Sequence, residues 1–355
     1  MGLVISTLLF HPPEPPTQLA RNKYFWLTTS RGSKIPASFI QQPHARFTVL
    51  YSHGNAEDLG MIHRYMVELS KLLYVNILAY DYSGYGMGMK RSDNIKNNVE
   101  PSEENFYADI EAAFDYLTNT ELIDPQHIVL YGRSVGSGPS CYLAQKLSRE
   151  QKGGLGVGGL ILHSPFLSVC RVVVDLGIEN SFDAFPNVSR VRDVTCPVFI
   201  MHGTKDEVVP FYHGRNLYEA LPENIQYGAP FWAENMGHNN IEVDMTSLFI
   251  KKLQRFFLFL LKTQDPDFIE KKIEKLGIKR QWTQVQIASF SESQEKESTT
   301  PLLKSKLIRK ESPQSVMDVM EERHPANSTN IVKFEARVSS FEGQVECIAV
   351  EYRSL

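Results

Sequence analysis

Ser134, Asp206 and His238 follow one another along the chain in an order that can make a hydroxyl reactive. A serine hydroxyl is a weak nucleophile at neutral pH. It needs a base within hydrogen-bond reach, and that base needs a carboxylate to fix its tautomer. Ser134 lies at the centre of Gly132-Arg133-Ser134-Val135-Gly136. The apolar run 128–131 precedes this pentapeptide and a helix-like stretch, 141–149, follows it. Strand, sharp turn and helix is the context in which Gly-x-Ser-x-Gly exposes a nucleophile, with the acid and then the histidine further along. Asp206 comes just after the apolar run 198–202, and His238 just after the run 231–234. Both thus fall past strand ends, where an open α/β sheet takes its ligand. Glu207 is the rival acid, and the turn Gly203-Thr-Lys favours Asp206. His163, His202 and His213 are rival bases. The first two belong to apolar strands and suit packing or structural hydrogen bonds; His213 begins a helix and is expected to be exposed.

Acyl transfer also needs two donors for the oxyanion of the tetrahedral intermediate. One is expected from the backbone N–H of Val135, immediately after the nucleophile. The other is expected from His53-Gly54-Asn55-Ala56, where Gly54 allows close backbone approach. The N–H of Asn55 is preferred, with that of Ala56 as the alternative. Asp81 and Gly84 are read as holding a turn. The glycine-rich stretch 153–159 lacks the Gly-Lys-Ser/Thr ending of a phosphate loop and reads as a surface connection. No metal ligand set and no cofactor is expected.

These residues require a framework. Residues 24–28 and 35–40 read as a hairpin around the turn 30–33. Five further runs (47–52, 75–80, 128–131, 159–163 and 198–202) are apolar without alternation, as in strands covered on both faces. A short strand over 231–234 makes eight. Helical spacing appears at 59–73, after a cap at Ser102, at 213–221 and at 241–261. Strands alternating with helices predict a mostly parallel eight-stranded sheet, helices on both faces, and right-handed crossovers. Residues 165–192 are irregular but apolar at Phe166, Val172, Val173, Phe182 and Phe185, and predict a small cap over the site. The Asn-rich loop 87–101 predicts surface.

The chain of 355 residues is 42% hydrophobic and carries a net charge of −4. That balance, without a basic stripe, excludes a nucleic-acid partner as the leading reading. Its four cysteines (Cys141, Cys170, Cys196 and Cys347) have no paired spacing and read as reduced thiols. No run approaches the roughly 18 apolar residues that span a bilayer. Residues 1–22 predict a membrane-anchor segment instead. Met1-Gly2-Leu3-Val4-Ile5-Ser6 matches the acceptor pattern for myristoylation at Gly2. A single myristoyl chain binds membranes only marginally, so Leu3, Val4, Ile5, Leu8, Leu9 and Phe10 are the candidates for a second, interfacial signal, the alternative being that Leu8 to Phe10 pack on the domain. Residues 23–264 form the expected catalytic domain. Residues 265–355 are a charged extension, disordered over 289–300, with a hairpin expected around Phe341-Glu342-Gly343.

Seven ordered motifs resemble those of the α/β-hydrolase domain-containing family seventeen. They are His53-Gly-Asn-Ala, Asp81-Tyr-Ser-Gly-Tyr-Gly, Phe106-Tyr-Ala-Asp-Ile-Glu-Ala-Ala113, Leu162-His-Ser-Pro165, Phe182-Asp-Ala-Phe-Pro186, His202-Gly-Thr-Lys-Asp-Glu-Val208 and Gly237-His-Asn-Asn-Ile-Glu242. The resemblance spans residues 24–261. It implies the α/β-hydrolase fold, Ser134, Asp206 and His238 as the triad, and a membrane-attached serine hydrolase that removes palmitate from cysteines of signalling proteins. The chain departs from the family in three ways. Its first cysteine is Cys141, so the family's N-terminal cysteine cluster is missing; its loop 87–101 is longer; and the tail after Asp265 is additional.

The expected protein is therefore a monomeric acyl-protein thioesterase at the cytoplasmic membrane face, with S-acylated proteins as substrates. Its alternatives are a lipid or small-molecule carboxylesterase, a serine aminopeptidase of the same fold, and a non-enzymatic interaction module on a dead hydrolase.

Overall fold

A run of strands too apolar to face water on either side dictates the architecture. The computed structural model describes residues 10–88, 99–151, 154, 156–173, 183–266, 340–341 and 344–345. It divides into two units, residues 1–279 and 280–355. In the first, β1 (Phe25–Thr28), β2 (Lys34–Ile40), β3 (Thr48–Ser52), β4 (Asn76–Tyr80), β5 (Ile128–Arg133), β6 (Gly159–His163), β7 (Val198–Gly203) and β8 (Phe231–Ala233) form one sheet. Its order is β1-β2-β4-β3-β5-β6-β7-β8. Only β2 runs against its neighbours; from β4 to β8 every pair is parallel. The expected α/β-hydrolase sheet is thus present, including the hairpin, which the structure closes onto β4.

Every residue of β3, β5, β6 and β7 is buried. Alternate side chains feed two cores. Leu50, Leu130, Leu160, Leu162 and Ile200 point to one face, and Val49, Tyr51, Val129, Tyr131, Ile161, Phe199 and Met201 to the other. Helix α1 (Leu59–Leu73) covers the second face with Leu59, Ile62, Met66 and Leu69. Its start is fixed by Asp58, whose Oδ1 accepts from the Met61 N–H at 2.9 Å. Helix α2 (Glu103–Asp115), capped by Ser102, and α3 (Ser137–Glu150) cover the first face through Phe106, Ile110, Cys141 and Leu143.

Helices α4 (Val169–Val173), α5 (Asn187–Arg190) and α6 (Tyr212–Ala220) follow in order. The helix expected over 241–261 is two helices, α7 (Ile241–Asp244) and α8 (Thr246–Gln264), separated at Met245 with φ −119° and ψ 28°. Glu242 on α7 reaches an arginine of the site.

Of the expected cap, residues 174–182 lie outside the described residues. Its flanks are not a loose cover. Phe166 and Phe185 are buried members of the core. Residues 89–98 of the predicted surface loop, and Gly2, likewise lie outside the described residues. In the second unit, β9 (Ser340–Phe341) pairs antiparallel with β10 (Gln344–Val345), the hairpin expected there.

Candidate active site

Sheet order creates the crevice. β3 lies between β4 and β5, so the chain leaves β3 toward one side and returns to its other side. At such a switch point the loops after the two strands diverge to opposite faces and leave a ligand site between them. Ser52 at the end of β3 pairs with Gly132 near the end of β5. This register sets the segment carrying Asn55 beside the one carrying Ser134.

The turn into α3 is tight, and its glycines are obligatory. A Cβ on Gly136 would stand 2.1 Å from the Ser52 carbonyl oxygen, and one on Gly132 2.5 Å from the Gly136 carbonyl oxygen. Between them Ser134 is forced to φ 51°, in the left-handed region that side chains disfavour. Val135 follows in a single 3-10 turn, Ser134–Gly136, that leads into α3.

His238 and Asp206 reach Ser134 from the ends of the neighbouring strands β7 and β8. Their loops are stitched together. Lys205 N–H donates to the Met236 carbonyl at 2.9 Å, and Asn235 N–H to Thr204 Oγ1 at 2.8 Å. Asn240 Oδ1 accepts from Gly237 N–H at 2.8 Å and closes the turn that presents the histidine. In consequence His238 Nε2 lies 2.9 Å from Ser134 Oγ, and its Nδ1 lies 2.7 Å from Asp206 Oδ2. Asp206 Oδ1 accepts from the N–H groups of Val208 and Val209 at 2.9 and 2.8 Å. His202 Nε2 stands 3.3 Å from Asp206 Oδ2 and 2.8 Å from the Val209 carbonyl, so its proton is shared between two acceptors. Burial alone pushes the Asp206 carboxyl up. The bonds from His202 and His238, the charge on His238 and the Val209 N–H outweigh it and hold the carboxyl well below the usual carboxylate range. A carboxylate kept ionised on Nδ1–H leaves Nε2 free to accept the serine proton.

The rivals fall away on position. Glu207 is exposed. His163 is buried against Tyr131, whose hydroxyl is 3.0 Å from its Nδ1; burial, then the Arg133 charge, holds its pKa well below the usual value. His202 braces Asp206. His213 corrects the expectation of exposure: it is wholly buried and accepts the Leu167 N–H at Nδ1 at 3.2 Å. The segment carrying Phe166 and Leu167 folds over it, a contact made by residues distant in sequence. Asp81, expected to hold its own turn, is buried and instead ties the loop after β4 to the start of α1, its Oδ1 accepting the Leu59 N–H at 2.6 Å and lying 3.4 Å from His53 Nε2. Asn55 heads the loop after β3, and its Oδ1 accepts from Tyr85 Oη at 2.6 Å and from His11 N–H at 2.9 Å.

One residue of the site escapes sequence reasoning. Arg133, the first variable position of the pentapeptide, is buried. Its Nη1 donates to Glu57 Oε1 at 2.7 Å, and its Nη2 to Asn239 Oδ1 at 2.8 Å and Glu242 Oε1 at 3.4 Å. Glu57 Oε2 in turn accepts the Gly54 N–H at 2.7 Å. One guanidinium therefore ties the loop after β3 and the histidine loop to the residue preceding Ser134. A charge closing an apolar strand was the available signal, but its partners come from far along the chain. Among the described residues, no group of three or more His, Cys, Asp or Glu is placed to hold a metal ion. Nor is any helix among them long and apolar enough to cross a membrane.

The arrangement can activate Ser134 Oγ for attack on a carbonyl carbon. The chain superposes on an esterase of Pyrococcus furiosus, Pf2001, with TM-score 0.53 at 17% identity, covering 71% of this chain and 98% of that one. It also superposes on the esterase RhEst1 of a Rhodococcus species with TM-score 0.50 at 17% identity, covering 67% and 99%. At such identities these show the fold. No protein-family model matches. Sequence relatives carry the assignment further. The chain is 38% identical over 234 residues to alpha/beta hydrolase domain-containing protein 17B of Xenopus tropicalis, covering 65% of this chain and 74% of that one. It is 40% identical over 230 residues to protein 17C of the same frog, covering 64% and 67%. With its eight-stranded sheet and its ordered motifs, the chain is an α/β hydrolase and belongs to the alpha/beta hydrolase domain-containing protein 17 family.

Proposed function

We propose that the protein is a serine hydrolase that cleaves acyl thioesters, with palmitoylated cysteines of membrane-associated proteins as substrates. The observation that carries the reading is the chain of bonds from Asp206 to His238 to Ser134, with Ser134 held at a strained φ of 51°. His238 Nε2 takes the hydroxyl proton as Ser134 Oγ bonds to the thioester carbonyl carbon. The resulting oxyanion is received by the N–H groups of Val135 and Asn55. Collapse breaks the carbon–sulfur bond, and His238 returns its proton to the leaving cysteine sulfur. A water, deprotonated by His238, then splits the Ser134 acyl ester, and the fatty acid and serine are released. A thiol with an ordinary pKa near 8.5 leaves more readily than an alcohol or amine, so this site needs little general-acid help with a thioester. The palmitoyl substrate comes from the family resemblance.

Delivery to the cytoplasmic membrane face belongs to the same reading, through myristoylation at Gly2. Two measurements test the whole. Purified protein and Ser134→Ala are incubated with a palmitoylated cysteine peptide, a simple ester and a fluorophosphonate probe. Deacylation and labelling in wild type, both lost in Ser134→Ala, are expected. Turnover of the simple ester without any deacylation of the peptide would reject the substrate in favour of a lipid or small-molecule carboxylesterase, which the likeness to esterases favours as second reading. For the anchor, a myristoyl mass shift on the N-terminal peptide and loss of membrane partitioning in Gly2→Ala are expected; an unmodified peptide overturns it.

A further inference from the structure

Asn55 is gripped from outside the sheet by a stretch of chain that precedes every strand. Phe10 is buried, its ring centroid 4.9 Å from that of Phe106 and 6.3 Å from that of Phe185. Phe106 stacks on Tyr82 at 3.8 Å and meets Tyr85 edge-on at 5.8 Å. Phe10 is therefore wedged into the aromatic group that carries Tyr85. The next residue, His11, donates its backbone N–H to Asn55 Oδ1, the oxygen that also accepts from Tyr85 Oη. An amide oxygen has two lone pairs, and an N–H can only donate. Both acceptor positions of Asn55 Oδ1 are thus filled, and its amide orientation is fixed.

The same stretch is tied down again at its far end. Thr17 N–H donates to Asp58 Oδ2 at 2.7 Å, while Asp58 Oδ1 caps α1. Gly60 gives this crossing its room, since a Cβ there would stand 2.5 Å from the Thr17 carbonyl oxygen. Between the two ties Pro12, Pro13, Pro15 and Pro16 stiffen the chain. The loop 53–58 is held on its inner side by Glu57 and Arg133 and on its outer side by residues 10–17.

We propose that residues 10–17 are a positioning element of the active site: through Phe10 and the His11 N–H they set the loop that aims the Asn55 N–H at the oxyanion. The proposal rests on the serine-hydrolase reading, and it ties catalytic rate to the segment that follows Gly2, independently of any membrane. Displacing a donor by about 1 Å costs on the order of 100-fold in rate, so loss of this tie falls on kcat rather than on KM.

The test uses the full chain, without membranes or detergent, and a water-soluble butyryl thioester. His11→Pro removes one backbone donor in a stretch already rich in proline. It is expected to lower kcat roughly 10-fold or more, with KM and melting temperature little changed. His11→Ala keeps the N–H and is expected to recover most of kcat. Should His11→Pro fail to fold, Phe10→Leu loosens the wedge without emptying it and is read in the same way. Folded variants that turn over at the wild-type kcat overturn the proposal, as does a loss seen equally in His11→Ala. Ser134→Ala is run beside them. Activity surviving in it overturns the serine-hydrolase reading and this inference together, whereas wild-type kcat in the strap variants with Ser134→Ala inactive overturns the inference alone.

Discussion

Arg133 shows how much of the site depends on one side chain that takes no part in the chemistry. Its guanidinium is buried between Glu57 and Glu242, with Asn239 completing its fork. Removing one partner of a buried ion pair typically costs about 3–5 kcal/mol, because the other charge stays buried without compensation. Arg133→Met is expected to lower stability by that order and to slow fluorophosphonate labelling, as read by thermal or denaturant unfolding and by labelling rate. Arg133→Lys is expected to fall between, since a single ammonium cannot span Glu57 and Asn239 as the planar fork does. A methionine variant as stable and as reactive as wild type would deny the residue its role. Ser134, Asp206 and His238 were legible in the sequence because each follows the end of an apolar strand. Arg133 stood in plain view too, but its function is defined by carboxylates contributed by the loop after β3 and by α7.

At the scale of elements, the joints between strand and helix carry the tightest constraints. Gly136→Ala places a methyl where the Ser52 carbonyl sits, 2.1 Å from the ideal Cβ. The turn must then separate from β3, so the variant is expected to lose probe labelling at Ser134 even if it still folds; undiminished labelling would refute the close approach. A second joint is pH-sensitive. Asp109 on α2 accepts the Ser83 N–H at 2.7 Å and the Ser83 hydroxyl at 2.6 Å, fastening the loop after β4. Burial, partly opposed by the Ser83 bonds, pushes its pKa up to about 7 from 3.8. A group bound more tightly to its proton when folded contributes stability that is full below the unfolded pKa and is lost as pH rises through the folded one. Relative to Asp109→Asn, the wild type is therefore expected to lose stability between about pH 4 and pH 7, measured by unfolding at several pH values. A stability difference flat across that window would show that the carboxyl titrates normally. Helix α1 was readable from its spacing and α2 from the cap at Ser102. The division of the last helix at Met245 was not, because the apolar repeat runs on across it.

For the whole molecule, every strand of the large sheet and every candidate site residue among those described falls within the unit 1–279. A chain ending at residue 279 is expected to keep the melting temperature and ester turnover of the full protein, by calorimetry and steady-state assay. A marked drop in either would make the extension part of the folded hydrolase. The sequence by itself determined the sheet and the order of the candidate triad along it. Apolar runs without alternation can be buried only between layers of helix, and a serine, an acid and a histidine at the ends of β5, β7 and β8 converge once those strands are parallel. Tertiary structure alone decided what holds them there: His202 on Asp206, Arg133 across two loops and α7, His213 buried under Leu167, and residues 10–17 against Asn55. Apart from His202 and Asp206, which are four residues apart, these join groups far apart in the chain. Periodicity reports which face of an element is buried, whereas the partner of a buried donor or acceptor is known only when the folded chain brings the two together.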